Sequence, residues 1–237
     1  FLYPCAATTT YENLISIPGF VGAAPIQNIG AYGVEIKDIF VSCSGYFLDT
    51  IEKKKFKLND CQFSYRSSIF KKSLKNKYII TEVVLQLSKT NHKINKSYKS
   101  INDALNKKKI QNPTIKDIAR IVSKIRENKL PNPSLIGNSG SFFKNPIVSA
   151  ELLSKMKQKF SKLVYFKESV SKYKLSAAWL IENCNFKNIE EKNVGVYKNQ
   201  ALVIVNLGNA TGKEILLYSE KIKSTVLEKF DILLEEE

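Results

Sequence analysis

The run Gly137-Asn138-Ser139-Gly140-Ser141-Phe142-Phe143-Lys144-Asn145-Pro146 holds the residue types in this chain best suited to chemistry. Glycines at 137 and 140 let a backbone bend tightly and approach a ligand closely. They present Ser141 among small residues, with two phenylalanines and the polar pair Lys144 and Asn145 just behind. A bland surface loop does not need two Phe, and a core strand does not need a Gly-rich entry, so the pattern reads as a serine displayed in a shielded cleft. As a nucleophile that serine would need a base. The sequence has one histidine, His92, in a Lys/Asn-rich stretch that reads as exposed loop. That argues against a hydrolase triad using Ser141.

Arginine is scarce, only Arg66, Arg120 and Arg126 among 37 basic residues, and these three can bind a carboxylate or phosphate as a planar fork where Lys cannot. Arg66 lies in Phe63-Ser64-Tyr65-Arg66-Ser67-Ser68-Ile69-Phe70. An Arg so surrounded is expected to be partly buried and to need an anion, either a structural carboxylate or a ligand. Arg126-Glu127-Asn128-Lys129-Leu130-Pro131 ends a predicted helix with cations, which the helix dipole alone explains.

Pro25, Ile26, Gln27, Asn28, Gly30, Ala31, Tyr32 and Gly33 fall in one turn-rich string. Bare amides there suit a pyrophosphate or a flavin edge, although tight turns in a β-rich domain account for the composition equally well. Gly208 to Glu214 resembles a P-loop but is one residue short, and Glu214 replaces the Mg-binding hydroxyl, so that reading is rejected. Glu235-Glu236-Glu237 by itself reads as a solvated acidic tail.

The elements that must position these residues form an α+β pattern. Residues 1–40 are too rich in Gly and Pro for a long helix. A strand, a turn and a strand are expected over 39–42 and 45–49, and a further strand over 78–87. Residues 89–112 read as a polar linker or ordered insertion. Thr114 caps a helix with Ile115, Ile118, Ala119, Val122 and Ile125 on one face, ended by Pro131 and Pro133. Ser149 caps a second helix facing inward with Leu152, Leu153, Met156 and Phe160. Further helices are expected over 175–183 and 212–230, a strand over 201–207 and a short closing strand over 232–234. Boundaries fall near 90 and 130.

Composition narrows the function classes. The 237 residues, 43% hydrophobic, suffice for one good core or two modest ones. The net charge of +15 comes from lysines spread along the whole length, which reads as general lysine usage and not as a nucleic-acid surface. Cys5, Cys43, Cys61 and Cys184 show no paired spacing, so neither a metal site nor a disulfide framework is expected, in keeping with a reducing cytoplasm. No stretch reaches the roughly 18 apolar residues of a membrane span. The chain begins Phe-Leu-Tyr-Pro without Met, so it is expected to be a fragment.

Together, five segments in order resemble the UDP-N-acetylenolpyruvoylglucosamine reductase family: Ile17-Pro18-Gly19 through Gly33, Tyr65-Arg66 through Phe70, Arg126 through Pro131, Gly137 through Pro146, and Phe230 through Glu237. The region near Tyr98 looks like the family's longer subtype, which folds a tyrosine-bearing loop over the substrate. The resemblance implies the C-terminal part of a PCMH-type FAD-binding domain over 1–90, a loop insertion and connecting helix over 91–130, an α+β substrate-binding domain over 131–230, and a return strand over 231–237. It implies FAD, held in part by Pro25 to Gly33, and NADPH as hydride donor. Arg66 matches the arginine that stabilises negative charge on the substrate, Ser141 the serine that donates a proton to C2, and Glu237 the catalytic glutamate. Tyr65, Tyr98, Lys129, Asn145 and Tyr165 fall at substrate-binding positions.

The implied substrate is UDP-N-acetylglucosamine enolpyruvate, reduced to UDP-N-acetylmuramate for peptidoglycan by a cytoplasmic monomer without nucleic-acid or membrane partners. Two departures stand out. The family's first small subdomain, with its glycine-rich phosphate loop, has no counterpart here, and Glu236 occupies the place of a usual Pro. A non-catalytic remnant unable to hold FAD, or a basic RNA-binding module, are the alternative readings.

Overall fold

The computed structural model describes residues 11–237, so Cys5 lies outside the described residues. It comprises two units, the first ending at Arg126 and the second covering Glu127–Glu237.

The first unit is built on an antiparallel sheet in which β3 (Phe40–Phe47) lies between β4 (Lys53–Lys57) and β5 (Tyr78–Leu85). A turn over residues 43–44 was expected, with a second strand starting at Gly45. Here β3 runs unbroken through it. Pairing shifts from Ser44↔Glu82 to Gly45↔Ile80, leaving Thr81 as the extra residue of a β-bulge, and the β5 backbone comes close against Gly45. The glycine supplies space, and the chain reverses only after Phe47. One face of the sheet carries an aromatic core in which Phe56, Phe70 and Tyr78 meet ring to ring at 5.1–5.7 Å between centroids. Cys43 and Cys61, distant in sequence, are both fully buried in this core as free thiols.

Residues 89–112 contain a helix that the polar composition concealed: α1 (Lys99–Lys107), with Ile101 and Leu105 buried. Four residues separate them, so they fall on one face. They pack with Ile118, Ile121 and Val122 of α2 (Ile115–Lys129), and the segment is therefore part of the first unit's packing. Thr114 begins α2 as expected, accepting a bond from the Asp117 N–H at 3.3 Å while its own N–H donates to Asp117 Oδ2 at 2.9 Å.

The second unit carries two antiparallel sheets. One has the order β10 (Glu190–Glu191), β11 (Val194–Val196), β12 (Ile204–Asn206), β6 (Gly137–Asn138); the other is β7 (Ile147–Ser149), β9 (Lys172–Leu175), β8 (Tyr165–Lys167). Its helices are α3 (Ala150–Lys159), α4 (Ala177–Asn183) and α5 (Gly212–Phe230). Ser149 caps α3 through Leu152 N, as its sequence indicated. Two elements are shorter than expected. Leu175 ends β9, and Ser176 takes the cap of α4, accepting from Trp179 N at 3.2 Å. Ala201, Leu202 and Val203 form a buried turn before β12, since an apolar run satisfies burial as a turn as well as a strand.

The expected strand over 232–234 is absent. Asp231 ends α5 in the left-handed region at φ 56°, and Ile232 and Leu234 drop into the core. Backbone pairing starts only at Glu235.

The longest helix, α5, is set by a capping box at Thr211 and Glu214 and directs Ile222, Val226 and Phe230 into the core. Thr211→Ala removes the acceptor of the Glu214 N–H in the first turn. It should cost about 1 kcal/mol and lower the Tm by about 2–4 °C, read by circular dichroism. Among the described residues no helix is long and apolar enough to cross a membrane.

Candidate active site

In the first unit, β1 (Gly30–Ala31) and β2 (Val34–Glu35) form a hairpin closed by Tyr32 and Gly33. Both turn residues have positive φ, 50° and 84°, the mirror-image geometry whose twist suits adjoining strands. Glycine adopts this freely, whereas Tyr32 is held in it. Its carbonyl accepts from Asn13 Nδ2 at 2.8 Å, and its ring meets Tyr98 edge-on at 5.3 Å. Burial pushes the Tyr32 phenol up, Arg126 opposes that shift and Tyr98 adds to it. Two aromatic residues from separate predicted segments are thus one cluster.

Asn28 is fully buried in the left-handed region at φ 49°. Its amide donates to Glu35 Oε2 at 2.9 Å and to the Ser64 carbonyl at 3.1 Å, while its Oδ1 accepts from Lys37 N at 3.1 Å. These internal bonds make it the residue that shapes the loop around the hairpin. Pro25, Ile26 and Gln27 form the turn before it, and the Ile26 carbonyl accepts from Ser68 Oγ at 2.6 Å.

Tyr65 and Arg66 sit at the tip of a tight turn bridged by Ser64 and Ser67, with Arg66 at φ 49°. The guanidinium folds back over the Tyr65 ring at 5.3 Å and donates to the Gly30 carbonyl. A Cβ built at Gly30 would lie 2.8 Å from the Val34 carbonyl oxygen and 3.0 Å from Arg66 Nη1. Glycine at 30 is what lets the arginine lie against the hairpin, so the expected cation and the expected cofactor loop are brought together. A cavity of about 1020 Å³ lies elsewhere in this unit, between Lys37, Gln86 and Asn95. Of the expected cofactor residues it takes in only Gly33, so it does not mark the place where they converge.

In the second unit, the serine loop passes from the edge of one sheet, at β6, to the edge of the other, at β7. Gly140 turns it at φ 77°, its N–H donating to Asn138 Oδ1 at 3.0 Å. Ser141 is half-buried, Phe143 is 1% exposed, and the Phe142 N–H bonds the Leu202 carbonyl at 2.7 Å. The acidic end is no loose tail. Phe143 bridges Glu236 antiparallel, Lys144 N donates to the Glu235 carbonyl at 2.9 Å, and Glu237 N donates to the Phe142 carbonyl at 2.9 Å. Glu237 is therefore anchored one residue from Ser141, although 96 positions separate them in the sequence.

Asn145 Oδ1 accepts from Ala177 N at 3.0 Å, supporting the first turn of α4. Lys129 ends α2, and although the residue as a whole is exposed, desolvation of its ammonium lowers its pKa, a shift that Glu182 opposes. Tyr165 begins β8, away from the ladder in sequence, with Lys157 Nζ 5.2 Å from its ring centroid and 3.3 Å from its hydroxyl. Sequence reasoning missed Lys223, which holds Glu236 at 3.0 Å. One lysine on a helix with several carries no local signal.

Comparison with known proteins agrees with this architecture. The family model for the C-terminal domain of UDP-N-acetylenolpyruvoylglucosamine reductase matches residues 132–237. A Flavobacterium johnsoniae protein named UDP-N-acetylenolpyruvoylglucosamine reductase is 50% identical over 226 residues, covering 95% of this chain and 67% of that protein. Proteins of the same name from Amoebophilus asiaticus and Pseudomonas fluorescens strain Pf0-1 are 46% and 42% identical, each covering 95% of this chain and 66% of their own length. The chain thus spans about two thirds of these curated relatives. The crystal structure of UDP-N-acetylenolpyruvylglucosamine reductase from Thermus caldophilus shares the fold, with a TM-score of 0.59 at 21% identity over 95% of this chain and 62% of that one. The chain belongs to the UDP-N-acetylenolpyruvoylglucosamine reductase family.

Proposed function

We propose that this chain belongs to an FAD-containing, NADPH-using cytoplasmic reductase that converts UDP-N-acetylglucosamine enolpyruvate to UDP-N-acetylmuramate for peptidoglycan. The observation that carries the reading is the ladder joining Glu235–Glu237 to Phe142–Lys144, which sets a carboxylate-bearing residue next to the serine loop. A solvated tail would have no reason to zip onto that loop.

The first unit is read as part of the FAD-binding domain. Its fit to a flavin rests on the hairpin turn, where Gly33 is exposed, and on Arg66 held against the hairpin in the space that Gly30 leaves. Pro25, Ile26, Gln27, Ala31 and Tyr32 would present the remainder of that wall, with Asn28 fixing its shape. Bound FAD supplies hydride, taken from NADPH, to the enolpyruvyl carbon.

The protein's own residues manage the charge and the proton. Arg66 is assigned to the substrate carboxylate, where negative charge grows as hydride arrives; a preorganised cation is worth most at such a point. Ser141 is assigned the proton delivered to C2. Giving up a proton to a carbanion-like carbon is acid chemistry, and it needs no histidine beside the serine. Glu237 is assigned to polarise the same carboxylate–enol unit. Tyr65, Tyr98, Lys129, Asn145 and Tyr165 are assigned to hold the substrate, the cation of Lys129 suiting a phosphate.

Purified protein should show the visible absorption band of oxidised flavin, and NADPH oxidation should depend on added enolpyruvyl sugar. Colourless protein that folds normally and stays colourless after incubation with FAD would sink the cofactor assignment. Sugar-independent NADPH oxidation would sink the substrate assignment.

A further inference from the structure

Three consecutive glutamates end this sequence, and the ladder gives each of them different surroundings. Pairing centres on Phe143 opposite Glu236, with a backbone hydrogen bond on either side. Successive side chains of an extended chain point to opposite faces. Phe142, Lys144, Glu235 and Glu237 therefore share one face, and Phe143 and Glu236 the other. The contacts agree with this division. Lys144 Nζ meets Glu235 Oε2 at 3.0 Å on the first face, while Phe143 is buried on the second.

On the second face Lys223, reaching from α5, holds Glu236 Oε1 at 3.0 Å and Glu220 Oε1 at 2.9 Å. The two lysines are similarly covered, 18% and 21% exposed, but Glu236 is 44% exposed against 70% for Glu235, so the Lys223 contact is the better shielded of the two. Glu220 and then Glu236 push the Lys223 ammonium up. The Glu236 carboxyl, which burial alone would raise, is held below its usual range by its own N–H and by Lys223.

We propose that Lys223 is a positioning residue for Glu237: by holding Glu236 against α5 it keeps the Glu235–Glu237 ladder closed, so that Glu237 stays on the Phe142 face beside the serine loop. This rests on the reading of Glu237 as the carboxylate of the reductase site. Glu236 and Glu237 are chemically identical neighbours, and a slip of one residue exchanges the faces of a ladder. Backbone hydrogen bonds are indifferent to which glutamate occupies which place. The register is set by Ile232 and Leu234, buried on the same alternation as Glu236, and the Lys223 cation holds the ladder closed in that register.

Amide hydrogen exchange by NMR on the 237-residue chain tests the idea without reference to catalysis. Lys223→Met keeps the aliphatic stem and removes the charge. Exchange at the Glu237 and Lys144 amides should speed up about twofold to fivefold, as expected for loss of a partly shielded ion pair, with the Ile222 and Val226 amides unchanged. Lys223→Glu should accelerate the same two amides further. Adding Glu236→Lys to it should restore protection, a rescue that mere loss of packing would not give. In flavin-loaded protein Lys223→Met should lower kcat with little change in KM, and the charge swap should recover it. Unchanged protection at both amides, acceleration spread through α5, or failure of the swap to restore protection would overturn the proposal. The exchange data judge the clamp and the Ser141 substitution judges the chemistry, so either can fail alone.

Discussion

Ser141→Ala is expected to leave reduction of bound flavin by NADPH at its normal rate while lowering turnover of the enolpyruvyl sugar about 10²–10⁴-fold, the range for removing a positioned general acid. The two half-reactions make different demands. Accepting hydride from NADPH asks nothing of a serine hydroxyl, whereas finishing the sugar asks for a proton at C2. The substitution is structurally mild. The loop is held by hydrogen bonds from the Gly140, Phe142 and Lys144 amides to Asn138 Oδ1 and the Leu202 and Glu235 carbonyls, none of which uses the Ser141 side chain. Stopped-flow measurement of each half-reaction checks this result. Equal loss of both would remove the acid role from Ser141, and an unchanged sugar half-reaction would assign the proton to another group.

The second large effect concerns stability. Gly45→Ala should be among the most damaging single-methyl additions in the first unit. A Cβ at position 45 would lie 1.9 Å from the Ile79 carbonyl oxygen and 2.8 Å from its carbonyl carbon. Both are backbone atoms of β5, so no side chain can swing aside. The bulged pairing must open, or β3 and β5 must separate over the aromatic core. The expected cost exceeds about 3 kcal/mol, at or beyond the upper range for overpacking, and corresponds to a fall in Tm on the order of 10 °C. Gly208→Ala is the control, since nothing lies within 4 Å of a Cβ there and its φ is not positive. Similar thermal melts for the two variants would refute the close-approach account of Gly45.

The helices that carry the site were legible in the sequence because their signals are local. Thr114 and Ser149 each stand directly before an apolar repeat and each begins a helix by accepting a bond from its first turn, and the helix over 212–230 showed in its apolar spacing, its cap at Thr211 emerging only in the structure. The misreadings share a cause. Residues 43–44 looked like a turn, Ala201 to Val203 like a strand, and residues 89–112 like a polar linker or ordered insertion with no helix assigned to it, because in each case the deciding partner lies far away in the chain. Gly45 answers to Ile79, the Ala201–Val203 turn to the Phe142 amide through Leu202, and α1 to Ile118, Ile121 and Val122. Glycine content and local polarity do not encode such partners.

The sequence by itself determined the family resemblance, the residue types able to manage a proton and a growing negative charge, and the helix caps at Thr114 and Ser149, all of which depend on residue identity and short spacing. Tertiary structure alone decided that Asn28 shapes its loop through internal bonds, that Arg66 lies in the space Gly30 leaves, and that the acidic end is a paired ladder held by Lys144 and Lys223. The physical reason is that a buried amide, a close backbone approach and an ion pair are each defined by the distance between two groups. Folding sets those distances across dozens of residues.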